Sequence, residues 1–395
     1  MSGGPDVDAA RASANPPIWP LALCGAITAA LRYPLEHRSS FHFFADAARD
    51  LFHRGGTGLS LYAVHPKFQF GPLAVAVAAL FEPLPHALTH PAVVVFGTVL
   101  GVATIVLAER AVVALHPDVS PAQIRRALWW GAVPFLMAWT DVSVRNEHID
   151  DAIALTGIVA SVLYVARRRP WLATAALAIA VAAKPWAIVC VPLLLATQDR
   201  YRWWRPLVAG AAAGATWVPF LLGDSKTLSS LSSFHIGVGG NTLLRWAGDT
   251  ARGTPSWDRP AQAALGIAAA LLLVRWHRWA AVPVSALGIR LLLDPATHRY
   301  YAVGLGIAVL LWEQAVRPTR PAWRSIVAIA VIELTSQYEP FRGRGGEIRN
   351  LLLVAMILLP AYLPLGRIGT ALDPPEPPEP PEPAGVTRAG EPGGA

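Results

Sequence analysis

Long apolar runs recur along the chain, at residues 91–107, 152–166, 171–196, 206–222 and 351–365 among others. A helix rises 1.5 Å per residue, so crossing a hydrocarbon core takes about 20 apolar residues. Several runs are shorter than this or are broken by proline, which removes a backbone donor. The pattern predicts an all-α fold: a polytopic transmembrane helix bundle of about nine to eleven spans. The first span covers roughly residues 18–31. After it, Phe41, Phe44, Ala45, Ala48 and Phe52 fall at the spacing of one helical face, with His42, Asp46, Arg49, Asp50 and His53 opposite. That spacing predicts an interfacial helix in the first external loop, greasy side to lipid or bundle, ended by Gly55 and Gly56.

Residues 1–17 are polar, with Arg11 as the single basic residue, so they lack a signal peptide's basic region and the first span is expected to be retained. Residues 369–395 are rich in Pro, Glu and Gly. Too little apolar surface is available there to order the chain, and both ends are read as disordered tails around a membrane domain at 18–368.

Composition sharpens this picture. Hydrophobic residues make up 54% of the chain and charged residues 15%, with mean hydropathy +0.41, which the surface of a soluble domain would not tolerate. Trp19, Trp129, Trp130, Trp171, Trp203, Trp204, Trp276, Trp279, Trp312 and Trp323 stand near run ends, as an interfacial belt does. Cys24 and Cys190 lie far apart in separate apolar runs, so no disulfide framework or Cys-based metal site is expected. The net charge of +7 comes from short basic clusters beside apolar runs, which argues for positive-inside bias and against nucleic acid as a partner.

Arg167 to Arg169 and the trio Arg200, Arg202 and Arg205 bracket the run 171–196. If both clusters face the cytoplasm, that run is a hairpin or re-entrant pair broken at Lys184-Pro185, and the loop 32–67 and segment 141–151 lie outside. Arg125-Arg126 leave the parity of residues 109–140 open. No internal repeat suggests the two inverted halves of many transporters.

Three groups of residues carry candidate chemistry. Asp46 or Asp50 can act as a general base if its helix faces a cavity, or can belong to a solvated face. Asn146, Glu147, His148, Asp150 and Asp151 head an apolar run, where capping, substrate binding and, in third place, a metal site are the readings. Glu147 and Asp151 are expected to share one side of the first turns. Lys184 lies within an apolar stretch, suited to a lipid-linked phosphate or to snorkelling. Arg299 and Tyr300 open another run, as phosphate ligand or as interfacial anchor. Arg290, Glu313 and Glu333 are candidates to pair with one another. No Walker A lysine, Gly-x-Ser-x-Gly elbow or His-Glu-x-x-His motif occurs, and the glycines at 237–240 lack a nucleotide fingerprint's flanking strand and helix.

The chain also presents, in order, Phe43-Phe44, Leu61-Tyr62-Ala63-Val64-His65-Pro66, Gln69-Phe70-Gly71-Pro72, His148-Ile149-Asp150-Asp151, Lys184-Pro185-Trp186-Ala187 and Tyr300-Tyr301. This order, over residues 34–312, resembles the GT-C superfamily of membrane glycosyltransferases, nearest to the bacterial polyprenol-phosphate-mannose-dependent mannosyltransferases. The resemblance implies a multi-pass cell-membrane enzyme that moves a sugar, mannose first among the choices, from a polyprenyl-phosphate donor to a lipid or glycan acceptor at the outer face. Its partners are then membrane lipid, that donor and that acceptor. No cofactor is implied, and a divalent cation is left open. It implies a base from an Asp of the first external loop, a role that Asp46 or Asp50 would take here, with substrate binding expected at His42, His65, Gln69, His148, Asp150, Asp151, Lys184, Arg299 and Tyr300. Ser40 stands where the family's Asp is expected, just before the aromatic pair. Two other classes stay open: a transporter or flippase of lipid-linked or small polar solutes, and a catalytically inactive GT-C relative.

Overall fold

The computed structural model describes residues 18–35, 39–197, 199–249, 253–337 and 345–362; the tails expected at 1–17 and 369–395 lie outside them. Among the described residues the regular structure is entirely helical. The principal helices are α1 (Trp19–Arg32), α2 (Phe41–Phe52), α3 (Pro72–Ala79), α4 (His86–Leu115), α5 (Pro121–Thr140), α6 (Ile149–Ala166) and α7 (Pro170–Ala183). They are followed by α8 (Trp204–Ala215), α9 (Asp258–Arg275), α10 (Val282–Leu293), α11 (Tyr300–Val316), α12 (Trp323–Gln337) and α13 (Gly345–Tyr362). Proline sits in the first turn of α3, α5, α7 and α10, where its fixed φ helps and its missing N–H costs nothing. Helices α4 and α6 are long and apolar enough to cross a membrane.

The bundle has two chemically distinct ends. α4 starts where His90 meets Glu147 and finishes where the His116 ring meets the Ala315 carbonyl at 2.8 Å. α5 then turns back, with Arg125 gripping Glu109 through bonds of 2.7 and 2.5 Å, and ends beside Asp141, which Arg32 of α1 holds at 3.3 Å. Residues 109–140, whose direction the sequence leaves open, therefore form the close of one helix and an antiparallel return.

The apolar run 171–196 folds back on itself. Lys184 leaves α7 in an extended conformation, and residues Pro185–Ala196 continue as a 3₁₀ helix. Trp171 faces Tyr201 at 6.5 Å and lies under Arg205 at 5.4 Å, so both ends of the run meet at one end of the bundle, with both arginine clusters, while Lys184 lies at the other. At about 2.0 Å per residue the twelve 3₁₀ residues extend about 24 Å, which matches the roughly 21 Å of the fourteen-residue α7.

Small residues let these layers approach. Gly71 donates its N–H to Ala183 at 2.8 Å, and a Cβ there would lie 1.9 Å from the Ala182 carbonyl oxygen. Only glycine fits, and the contact ties the 65–72 loop to the end of α7 beside Lys184.

Several expectations need correction. Trp279 and Trp312 are buried in the core rather than in a belt, because both pack inside the α10–α11 layer. Phe52 is exposed, while Ala47 joins Phe41, Phe44 and Ala48 on the buried face of α2, which packs on Tyr62, Phe68 and Phe70. Arg290 pairs with Asp294 at 3.5 Å, one helical turn on, and Glu313 with Arg324 at 3.6 Å. The predicted run 206–222 breaks into α8 and a short helix Val218–Gly223.

Candidate functional site

The first turn of α6 and the break after α7 meet at the Lys184 end. Asp150 and Asp151 are consecutive, so their carboxylates leave the helix about 100° apart. The extended backbone at Lys184 delivers its ammonium between them: Nζ pairs closely with Asp150 and reaches Asp151 Oδ2 at 3.4 Å. His148 Nδ1 stands 3.4 Å from Asp150 and 3.8 Å from Asp151, and Trp186 Nε1 donates to Asp151 at 3.2 Å. Both carboxylates are buried.

Aromatic rings wall this cluster. Tyr300, in the first turn of α11, stacks on His148 at 4.2 Å and 25°, and His298 stacks in turn on Tyr300 at 5.4 Å. Arg290 lies over Trp186 at 4.9 Å and over Tyr301 at 4.6 Å. Between Asp151, Trp186, Arg290 and the two tyrosines is a cavity of about 10 Å³, room for roughly one water. Oδ2 of Asp151 and Nδ1 of His148 are buried without hydrogen bonds.

His148, Asp150 and Asp151 offer ligand atoms within 4.8 Å of one another, which suits a divalent cation in spacing. The ammonium of Lys184 already occupies the cation's place on both carboxylates, so a metal would have to displace it.

Preceding α6 is a short π-helical turn, Asp141–Arg145, that spreads its side chains in different directions. α6 begins at Ile149 with His148 as its N-cap, and Asn146 instead donates its side chain to the Asp141 carbonyl at 2.7 Å. Glu147, outside the helix, has φ +50, a left-handed conformation that costs a non-glycine residue about 1–3 kcal/mol. This turns its side chain away from Asp151, contrary to the shared face expected from the sequence. The Glu147 carboxylate is buried, accepts from the Ser39 hydroxyl, and contacts His90 Nδ1 at 3.0 and 3.3 Å.

A cationic cluster lies across the stacked pair His148 and Tyr300. Arg32 and Arg145 share Asp141 at 3.3 and 3.8 Å. The guanidinium of Arg299 is lowered from its usual value by burial, then by Arg145, while Asp141 and Glu333 oppose and Arg32 adds to the lowering. Three guanidiniums and two carboxylates thus lie within electrostatic reach of one another.

The other expected residues occupy a separate patch. His65 pairs with Asp50 at 3.0 Å, and Asp46 with Arg49 at 3.5 Å, on the half-exposed face of α2. His42 contacts the Ser39 carbonyl at 2.9 Å and packs on Phe43. Gln69 bonds the Pro66 carbonyl at 2.6 Å and accepts from Arg259 at 2.7 Å. A chain of rings, Phe68, Phe70 and Phe44, runs from His65 to His148, so the structure brings together His148, Asp150, Asp151, Lys184 and Tyr300 with Arg299 beside them, and sets Asp46, Asp50, His42, His65 and Gln69 apart.

Sequence reasoning misses His90, Arg32, Arg145 and Asp141. Its one available signal was His86 and His90 at helical spacing in the first turn of a long apolar run.

Replacing Lys184 with Met leaves two buried carboxylates facing each other, and is expected to destabilise the fold by about 3–5 kcal/mol in chemical denaturation. Adding Asp150→Asn should recover part of the loss. Wild-type stability in the single variant would show that the ion triad contributes nothing.

Burial raises the Glu147 carboxyl above the ordinary glutamate value, against lowering by the Ser39 and His90 hydrogen bonds. The folded chain then holds this proton more tightly than the unfolded chain, so Glu147 makes stability fall as pH rises above about 4.3. Glu147→Gln should flatten that slope in melting temperatures taken between about pH 4 and 6. Parallel curves for the two proteins would rule the shift out.

Comparison with family models, curated proteins and solved structures finds no match to this chain.

Proposed function

We propose that the chain is a multi-pass membrane protein that transfers a sugar from a polyprenyl-phosphate donor to a lipid or glycan acceptor at the outer face. Support for the membrane comes from its surface. Leu23, Ile27, Leu31, Val95, Val99, Leu272, Val327 and Leu358 are exposed on helix flanks, where water would oppose them and lipid would not. Exposed Trp171, Trp203 and Trp204 adjoin the arginine clusters, as residues of an interfacial belt at a cytoplasmic surface do. The Lys184 end then faces outward, and the hairpin 171–196 returns both its arginine clusters to the cytoplasmic side.

One juxtaposition carries the catalytic reading: the guanidiniums of Arg32, Arg145 and Arg299 gather around Asp141 beside His148, whose imidazole contacts the carboxylates of Asp150 and Asp151. A lipid-borne phosphate needs the first group, because guanidinium binds phosphate oxygens in a planar, two-pronged fashion. Sugar hydroxyls need the second, which offers acceptors and a ring nitrogen. The phosphate role belongs to Arg299 and its neighbours, since Lys184 is committed to two carboxylates and acts as their counter-ion. Stacked His148 and Tyr300 form the floor between phosphate and sugar. With room for about one water, the cavity has to open to admit a sugar, and the start of α11 is the element whose movement would open it.

Two experiments test this. In a chain with Cys24 and Cys190 replaced by Ser, single cysteines placed at Arg54 and Arg168 should react with an impermeant reagent from opposite sides of the membrane. Labelling from one side would overturn the topology. Membranes supplied with radiolabelled polyprenyl-phosphate mannose, then with other polyprenyl-phosphate sugars, should pass label to lipid or glycan. Arg145→Ala/Arg299→Ala should lower transfer by about tenfold to a hundredfold, the worth of one or two charge-assisted hydrogen bonds. Absence of transfer from every such donor by the wild type would overturn the reading.

A further inference from the structure

We propose that His90 is the proton acceptor for the incoming hydroxyl and that Glu147 is its positioning residue. This assignment rests on the transfer reading above, and it fills a role that Asp46 and Asp50 are badly placed to fill, being paired with Arg49 and His65 on a separate face.

Geometry carries the argument. Glu147 takes a left-handed backbone conformation that glutamate disfavours, and the effect is to aim a buried carboxylate at the His90 imidazole. A structural ion pair at a helix start would not require that strain. When Glu147 is ionised it can only accept hydrogen bonds, and the contact at 3.0 Å then calls for a hydrogen on Nδ1 and leaves the lone pair on Nε2. The Ser39 hydroxyl holds the same carboxylate and fixes its orientation. Nε2 makes no hydrogen bond among the described residues, and the His90 side chain is 38% exposed, so a hydroxyl can reach it. Carboxylate, oriented imidazole and open second nitrogen are the arrangement that general-base catalysis by histidine needs.

Position fits as well. Phe41 meets the His90 ring at 6.3 Å and Phe44 meets the His148 ring at 6.1 Å, and these phenylalanines are three residues apart on the buried face of α2. Both imidazoles therefore meet the buried face of α2. Residues 145, 147 and 148 occupy one short segment, and reach the arginine cluster, His90 and Tyr300 in turn. Phosphate, sugar and acceptor can be served from that segment together.

The step balances without a further reactant. As the acceptor oxygen forms its bond to the anomeric carbon, its proton passes to His90 Nε2. The bond from that carbon to the donor phosphate oxygen breaks, and the electron pair leaves with the phosphate, whose added charge the arginines meet. Glu147 stabilises the resulting imidazolium, which returns its proton to solvent through its exposed edge.

The test uses the full-length chain in lipid nanodiscs with a polyprenyl-phosphate sugar donor. His90→Ala and the better-filling His90→Gln should lower kcat by about a hundredfold or more while the donor KM stays within about threefold. Added imidazole should restore part of the His90→Ala rate, which a misfolded protein would not allow. Glu147→Gln should lower kcat about tenfold, and Glu147→Asp should recover some of it. Transfer by His90→Ala at the wild-type rate, or a loss confined to KM, overturns the assignment and leaves the transfer reading standing. Absence of transfer by the wild type sinks that reading and this assignment with it.

Discussion

The ammonium of Lys184 between Asp150 and Asp151 is the contact on which the rest of the site depends. Two adjacent buried carboxylates repel each other and lose hydration, and neither cost is tolerable without a cation held in place. Helix α7 cannot supply that cation while it remains helical, since its side chains are spread around its axis. Ending the helix at Lys184 with an extended residue, and letting Pro185 forbid its continuation, lets the lysine side chain project into the gap. The break also turns the chain, so the same two residues define the hairpin, place Trp186 on Asp151, and receive the Gly71 loop at Ala183.

The connection between α5 and α6 shows a second constraint. A regular helix through residues 141–148 would put successive polar side chains at fixed 100° steps. The π-helical turn and the left-handed Glu147 abandon that regularity and send Arg145, Glu147 and His148 to three different partners. Buried irregular backbone survives only where other groups satisfy it. Here the Asp141 carbonyl accepts from the Asn146 backbone and side chain, and the Val142 carbonyl accepts from His148. In the proposed transfer, that irregularity brings phosphate, sugar and proton acceptor within reach of one another.

The two ends of the bundle divide the polar chemistry. At the arginine end, Arg167, Arg168, Arg169, Arg200 and Arg202 are exposed beside exposed tryptophans, while Arg205, Glu109 and Glu313 are buried in ion pairs. The Lys184 end instead gathers buried acids, imidazoles and stacked rings. An exposed charge keeps its hydration, whereas a buried one at either end is held by its partners.

Much of the all-α architecture was legible in the chain. Apolar runs marked α4 and α6, the 3.6-residue spacing marked α2, and Lys184-Pro185 marked the fold-back, because each is a local property that neighbouring residues fix. The polar groups at 148–151 and 184 were legible too, since such residues are costly inside apolar stretches and therefore conspicuous. What the sequence could not assign was partnership. Lys184 reads equally well as a phosphate ligand or a carboxylate's counter-ion, Glu147 reads as a helix-face neighbour of Asp151, and His90 reads as part of a helix start. Only the tertiary structure decides among these, because ion pairing and proton acceptance depend on distances between segments 34 to 109 residues apart, and on one backbone angle at Glu147 that no local pattern encodes.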